Sequence, residues 1–167
     1  MSKQKIEKVI ANAYVYVEGE QKLEERANAL DFIVHLRANE MEIPFINPAG
    51  DMVDIEHKGE VVVTMELEAP GTGDTALVLF FNIPNAWTHP DAPVDECFKE
   101  IVWEHMRDCE NCGDCAPGIS VTVFGKPSEN ICKSSLMFDN PAGDVLECVK
   151  KLVDARIHEI KYLSKEI

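Results

Sequence analysis

A chain of 167 residues, 46% hydrophobic and 28% charged, is long enough to bury a core as one domain and too apolar to be disordered throughout. Its 16 Lys and Arg stand against 30 Asp and Glu, a net charge of −14 that repels a phosphate backbone, so nucleic acid is excluded as a direct partner. No apolar run reaches the about 18 residues of a membrane span, and Met1 to Glu7 lack the apolar core of a signal peptide, so a cytoplasmic protein without a membrane segment is expected.

In chain order, Ile6, Val9, Ile10, Ala13 and Val17 keep helical spacing, although Tyr14 to Val17 also suits a strand. From Glu20 to Glu40 the spacing predicts a helix. Its apolar stripe is Leu23, Ala27, Leu30 and Val34, joined by Ile33, and Glu24, Glu25, Arg26 and Arg37 lie off it. Pro44 and Pro48-Ala49-Gly50 break the pattern.

Val53, Ile55 and His57 then share one face of a short strand, and Lys58-Gly59 forms a tight turn. Val61, Val63, Met65, Leu67 and Ala69 point one way in the next strand, with Glu60, Thr64, Glu66 and Glu68 on a wet face. After the loop at Pro70 to Asp74, Ala76 to Phe81 is apolar on both faces and reads as a central strand.

A Pro-rich connection, Pro84 to Pro93, leads to a second helix that starts near Asp91 and Pro93 and runs to about Asp108. It is expected to bury Val94, Phe98, Ile101, Val102 and His105. Ile119 to Phe124 is a strand, Lys126-Pro127-Ser128-Glu129 a turn, and Ile131 to Phe138 the hairpin partner. Asn140-Pro141 opens a last helix striped by Val145, Val149, Leu152, Arg156, Ile160 and Leu163. These elements predict a single α+β domain over residues 1–167, an antiparallel sheet of about five strands with two or three long helices packed mainly on one face.

The chemistry concentrates in a cysteine-rich loop at residues 109–118. Cys109, Cys112 and Cys115 make two overlapping CxxC steps, a spacing that gathers thiolates, and Gly113 lets the backbone curl around them. Structural zinc takes four ligands, so a fourth must come from elsewhere. Cys132 is the first choice, because strand parity groups it with Ser134, Leu136 and Phe138 on one face. His105 is held in reserve, one helical turn before Cys109.

Zinc is the expected cofactor. An iron–sulfur cluster is the second reading, although Ala116-Pro117-Gly118 lacks the next cysteine of a ferredoxin run. Metal-free thiol redox chemistry is the third, opposed by the neighbouring Glu110 and Asp114. Cys97 and Cys148 fall mid-helix beside apolar neighbours and read as small buried hydrophobes.

No catalytic set emerges. Glu96, Glu100 and Glu104 share one helix side and read as a solvated acidic face; His89 and Asp91 flank Pro90 without a third partner. Lys150, Lys151, Arg156 and Lys161 are interleaved with Glu147, Asp154 and Glu159, as on a solvated helix. Trp87, Phe80 and Trp103 are the candidates for lining a ligand pocket, and the two Trp also for a dimer seam, which leaves a small-molecule ligand, a protein partner or a homodimer open.

The segments Lys99-Glu100-Ile101-Val102-Trp103, Cys109-x₂-Cys112-Gly113-x-Cys115-x-Pro117-Gly118, Val123-Phe124-Gly125-Lys126, Asn130-Ile131-Cys132, Phe138-Asp139-Asn140-Pro141 and Cys148-x-Lys150-Lys151-Leu152-Val153 carry a resemblance, as does Asp31-Phe32-Ile33-Val34-x-Leu36-Arg37. Together they resemble a family of uncharacterised small bacterial cytosolic proteins with a CxxCGxCxPG loop. The resemblance implies that the cysteine loop, Cys132 and the last helix form one module, and it implies no activity. By analogy of fold class such modules resemble the effector-binding domains of transcription regulators. The expected function is thus a cytosolic metal-binding domain, with a small-molecule sensor module or an iron–sulfur or thiol redox protein as alternatives.

Overall fold

The computed structural model describes residues 20–41, 53–66, 77–84, 87, 94–110 and 117–163, with the backbone alone for 20–23, 26, 133–135, 162 and 163. The N-terminal segment from Ile6 to Val17, the strand extension at Leu67 and Ala69, and His89 and Asp91 lie outside the described residues.

Alternation and turn chemistry build the first half of the sheet. β1 (Val53–His57) and β2 (Glu60–Glu66) form an antiparallel hairpin in which His57 faces Glu60. Lys58 and Gly59 between them have φ of 54° and 82°, the two positive values that a two-residue turn matching the strand twist demands. Val53, Ile55 and His57 are all buried, as their shared face predicts. The register slips between Ile55 and Glu56, and Val62, which the alternation puts on the wet face, is buried beside Val63.

β3 (Val78–Phe81) is buried at every position. It is a central strand, paired on one edge with β2 and on the other with the long strand β6 (Lys126–Asp139). The sheet has six strands among the described residues, in the order β1, β2, β3, β6, β4 (Met106–Asp108), with β5 (Ile119–Val123) paired to the first part of β6. All described pairings are antiparallel. The architecture is α+β with an antiparallel sheet, as expected, but the described residues already form six strands where about five were expected.

Three helices complete the described fold: α1 (Glu20–Ala38), α2 (Glu96–Glu104) and α3 (Gly143–Leu163). α3 packs on β2 and touches both α1 and α2. Leu146, Val149, Leu152, Val153, Ile157 and Ile160 are its buried aliphatic side chains among the described residues, each contributing about 1.5–3 kcal/mol of apolar burial. Arg156 sits within this stripe but keeps its head polar: Nε donates to the Val61 carbonyl at 3.4 Å and Nη1 meets Glu159 at 2.7 Å.

Four local expectations are corrected. In α1 the buried stripe is Ala29, Phe32, Ile33 and Leu36, whereas Ala27 is exposed and Val34 is 61% exposed. The helix carries two overlapping apolar rows, and the bulkier one faces the core. α2 begins at Glu96, with Asp95 as its N-cap accepting from the Phe98 amide at 2.8 Å, and ends at Glu104 instead of near Asp108.

Met106–Asp108 then forms a short strand, β4, because pairing with β6 satisfies its backbone better than another helical turn. Finally, the β5–β6 turn is Phe124-Gly125 rather than Lys126 to Glu129. Phe124 holds φ at 50°, a left-handed conformation costing an aromatic residue about 1–3 kcal/mol. Its ring is buried between Trp87 at 5.2 Å and Trp103 at 6.2 Å, which offsets that strain.

Candidate functional site

The end of β4 and the start of β5 flank the same residue of β6: Asp108 and Ile119 are both partners of Ile131. The cysteine loop between them therefore leaves β6 on one side and returns on the other. Cys109, Glu110, Pro117 and Gly118 are its described ends; Cys112, Cys115, Gly113 and Asp114 lie outside the described residues.

Asn130 fastens those ends. Ile119 pairs with Ile131 but Val121 with Ser128, so β6 is bulged there, and Asn130 adopts φ of 57°, which Asn tolerates better than most residues. The Cys109 amide donates to the Asn130 carbonyl at 2.7 Å, and Asn130 Nδ2 donates to the Cys109 carbonyl at 3.1 Å. Gly118 closes the other end. A Cβ there would fall 2.7 Å from Cys109 Cβ, 2.9 Å from the Asn130 carbonyl carbon and against Asn130 Oδ1. Only a glycine permits so close an approach.

Cys109 is 6% exposed and Cys132 is half-buried, two positions beyond Asn130. The parity that grouped Cys132 with Leu136 and Phe138 does not run through β6. Met106 faces Leu136 and Asp108 faces Ile131, so two steps on β4 span five on β6 and the alternation is broken between them.

The helical relation between His105 and Cys109 is likewise absent, because β4 intervenes. His105 caps α2: its Nδ1 donates to the Ile101 carbonyl at 2.8 Å and its ring stacks on Phe138 at 4.5 Å. A carbonyl can only accept, so in that bond Nδ1 carries a proton. Among the described residues, no three His, Cys, Asp or Glu side chains are grouped to hold a metal ion.

The proposed pocket residues take different roles. Trp87 is 3% exposed, with Phe98 edge-on at 5.2 Å. Trp103 donates from Nε1 to the Val123 carbonyl at 3.1 Å, and Lys126 Nζ covers its ring at 4.9 Å. Both Trp rings thus pack around Phe124 and brace the β5–β6 turn. Phe80 belongs to another surface, where it pairs across from Thr64 and Met137 and carries Arg107 over its ring at 5.7 Å.

Glu96, Glu100 and Glu104 are all exposed, as a solvated acidic face requires. The cations of α3 have acidic partners: Lys150 binds Asp31 at 2.6 Å and Glu147 at 2.7 Å, and Lys151 binds Asp95 at 3.3 Å.

Two features escape a sequence reading. Asn130 has no motif, and its role follows from a bulge. Cys97 is exposed rather than buried, because α2 starts at Glu96 and leaves Cys97 in the first turn. It shares an open cleft of about 260 Å³ with the buried Cys148. Cys148 is the small buried residue that its helix position predicts. No family model, curated protein or solved structure matches the chain.

Proposed function

We propose that the chain is a metal-binding domain whose site joins Cys109, Cys112, Cys115 and Cys132 around a structural zinc, with His105 Nε2 as the reserve ligand. The observation that supports the reading is the closure of the cysteine loop. Asn130 binds the Cys109 backbone through two hydrogen bonds, and Gly118 packs against both residues, so the loop's two ends meet on β6 close to Cys132 in sequence. Three cysteines at CxxC spacing with Cys132 as the fourth make a ligand count that suits tetrahedral zinc. The role is structural: the metal ties α2 and β4 to the β5–β6 hairpin.

Elemental analysis of protein purified without chelator or a metal-binding tag tests the proposal, with about one zinc per chain expected. Cys112→Ser should lower both metal content and Tm. A loss of about 3 kcal/mol corresponds to roughly 6–12 °C in a chain of this size. Unchanged zinc and unchanged Tm in that variant overturn the reading. Iron with visible thiolate-to-iron absorption would replace zinc by a cluster.

A further inference from the structure

We propose that Cys97 and Cys148 form a second covalent site, a dithiol that closes to an intramolecular disulfide under a peroxide in the cleft between α2 and α3. The site uses neither Cys109, Cys112, Cys115 nor Cys132 and stands independently of the metal reading.

The placement follows from two helix stripes. Asp144, Cys148 and Lys151 lie at i, i+4 and i+7 on α3 and line one wall of the cleft. Asp95, Cys97 and Phe98 line the other, at the N-terminal turn of α2. Lys151 spans the two walls, with Nζ 3.3 Å from Asp95 Oδ2 and 5.6 Å from the centre of the Phe98 ring. Lys151 thus bridges from the stripe that carries Cys148 to the turn that carries Cys97.

Access divides the chemistry between the two thiols. Cys97 is exposed to reagent, whereas Cys148 is 2% exposed. Burial pushes the Cys148 thiol up to about 12; Lys151 opposes this, and Asp95 and Cys97 add to it. Cys148 is therefore neutral at ordinary pH and does not react first. The Cys97 thiolate attacks one peroxide oxygen; an S–O bond forms, the O–O bond breaks, and hydroxide leaves to become water.

Cys148 sulfur then attacks the Cys97 sulfenic acid. The S–S bond forms, the S–O bond breaks, and the departing hydroxide takes the Cys148 proton. Two thiols lose two electrons and two protons, and the peroxide is reduced to two waters. The product is uncharged, so the burial that opposes a Cys148 thiolate does not oppose the disulfide.

The test is to treat the full-length chain with hydrogen peroxide, alkylate the remaining thiols and map the cysteines by peptide mass spectrometry. The expected product is a Cys97 peptide joined to a Cys148 peptide, lighter than their sum by two hydrogens and separated by dithiothreitol. It should persist in Cys112→Ser and disappear in Cys97→Ser, an exposed substitution whose fold is checked by circular dichroism. Cys97 oxidised alone, with Cys148 recovered as an alkylated thiol after unfolding, overturns the proposal. So does a bond from Cys97 to any other cysteine.

Discussion

At Gly118 a single hydrogen atom is all that the structure accommodates. A methyl group would meet Cys109 Cβ and the backbone of Asn130, and the backbone cannot rotate out of the way as a long side chain can. Gly118→Ala is therefore expected to cost about 1–3 kcal/mol, the usual range for overpacking at a tight contact. Urea unfolding measures it, and a change below about 0.5 kcal/mol would show that the loop ends are not pinned there. The sequence displays Gly118 only as the second half of a Pro-Gly pair. The partner across it, Asn130, becomes visible only when β6 is folded.

At the scale of the element, α1 shows how far periodicity reaches. It announces a helix over Glu20 to Glu40, and the helix is there at Glu20–Ala38. Periodicity does not choose between the row holding Val34 and the row holding Phe32, since both have helical spacing. Packing chooses, with Phe32 and Leu36 fully buried against a core that α3 supplies. Phe32→Ala should cost about 3–5 kcal/mol, the range for emptying a buried aromatic site. Val34→Ala should stay within about 0.5 kcal/mol. Equal losses in parallel denaturation curves would contradict the assignment of faces. β4 teaches the same lesson at the end of α2, where residues with helical spacing pair with β6 instead.

For the whole molecule, α3 is the common support of the helical layer, and polar ties reinforce its apolar face. His35 of α1 meets Asp154 at 3.0 Å, and Lys150 and Lys151 reach Asp31 and Asp95. Such surface pairs add little individually, so burial along α3 dominates the stability. Burial at Cys148 also couples stability to alkaline pH. Its thiol is raised from an ordinary value of 9.0 to about 12 in the fold, mainly by desolvation. The unfolded chain ionises there first. The contribution is thus complete below about pH 9 and falls as pH rises toward 12. Relative to Cys148→Ala, the wild-type chain should lose its stability advantage progressively over that window in urea titrations at fixed pH. A difference that stays constant between pH 8 and roughly pH 10.5 would contradict a buried, protonated thiol.

Local patterns carried the α+β class, the β1–β2 hairpin with its Lys58-Gly59 turn, the all-buried β3 and the extent of α3. Each depends on neighbours within a few residues: alternation, a turn residue free to take positive φ, or a helical stripe. Tertiary structure decided the rest. It set the buried row of α1, the strand at Met106–Asp108, the Phe124-Gly125 turn and the bulge that aims Asn130 at Cys109. These depend on which distant surface is available to cover a side chain or pair a backbone group. A bulge also shifts the alternation by one residue, so parity stops carrying information at the point where the site is built.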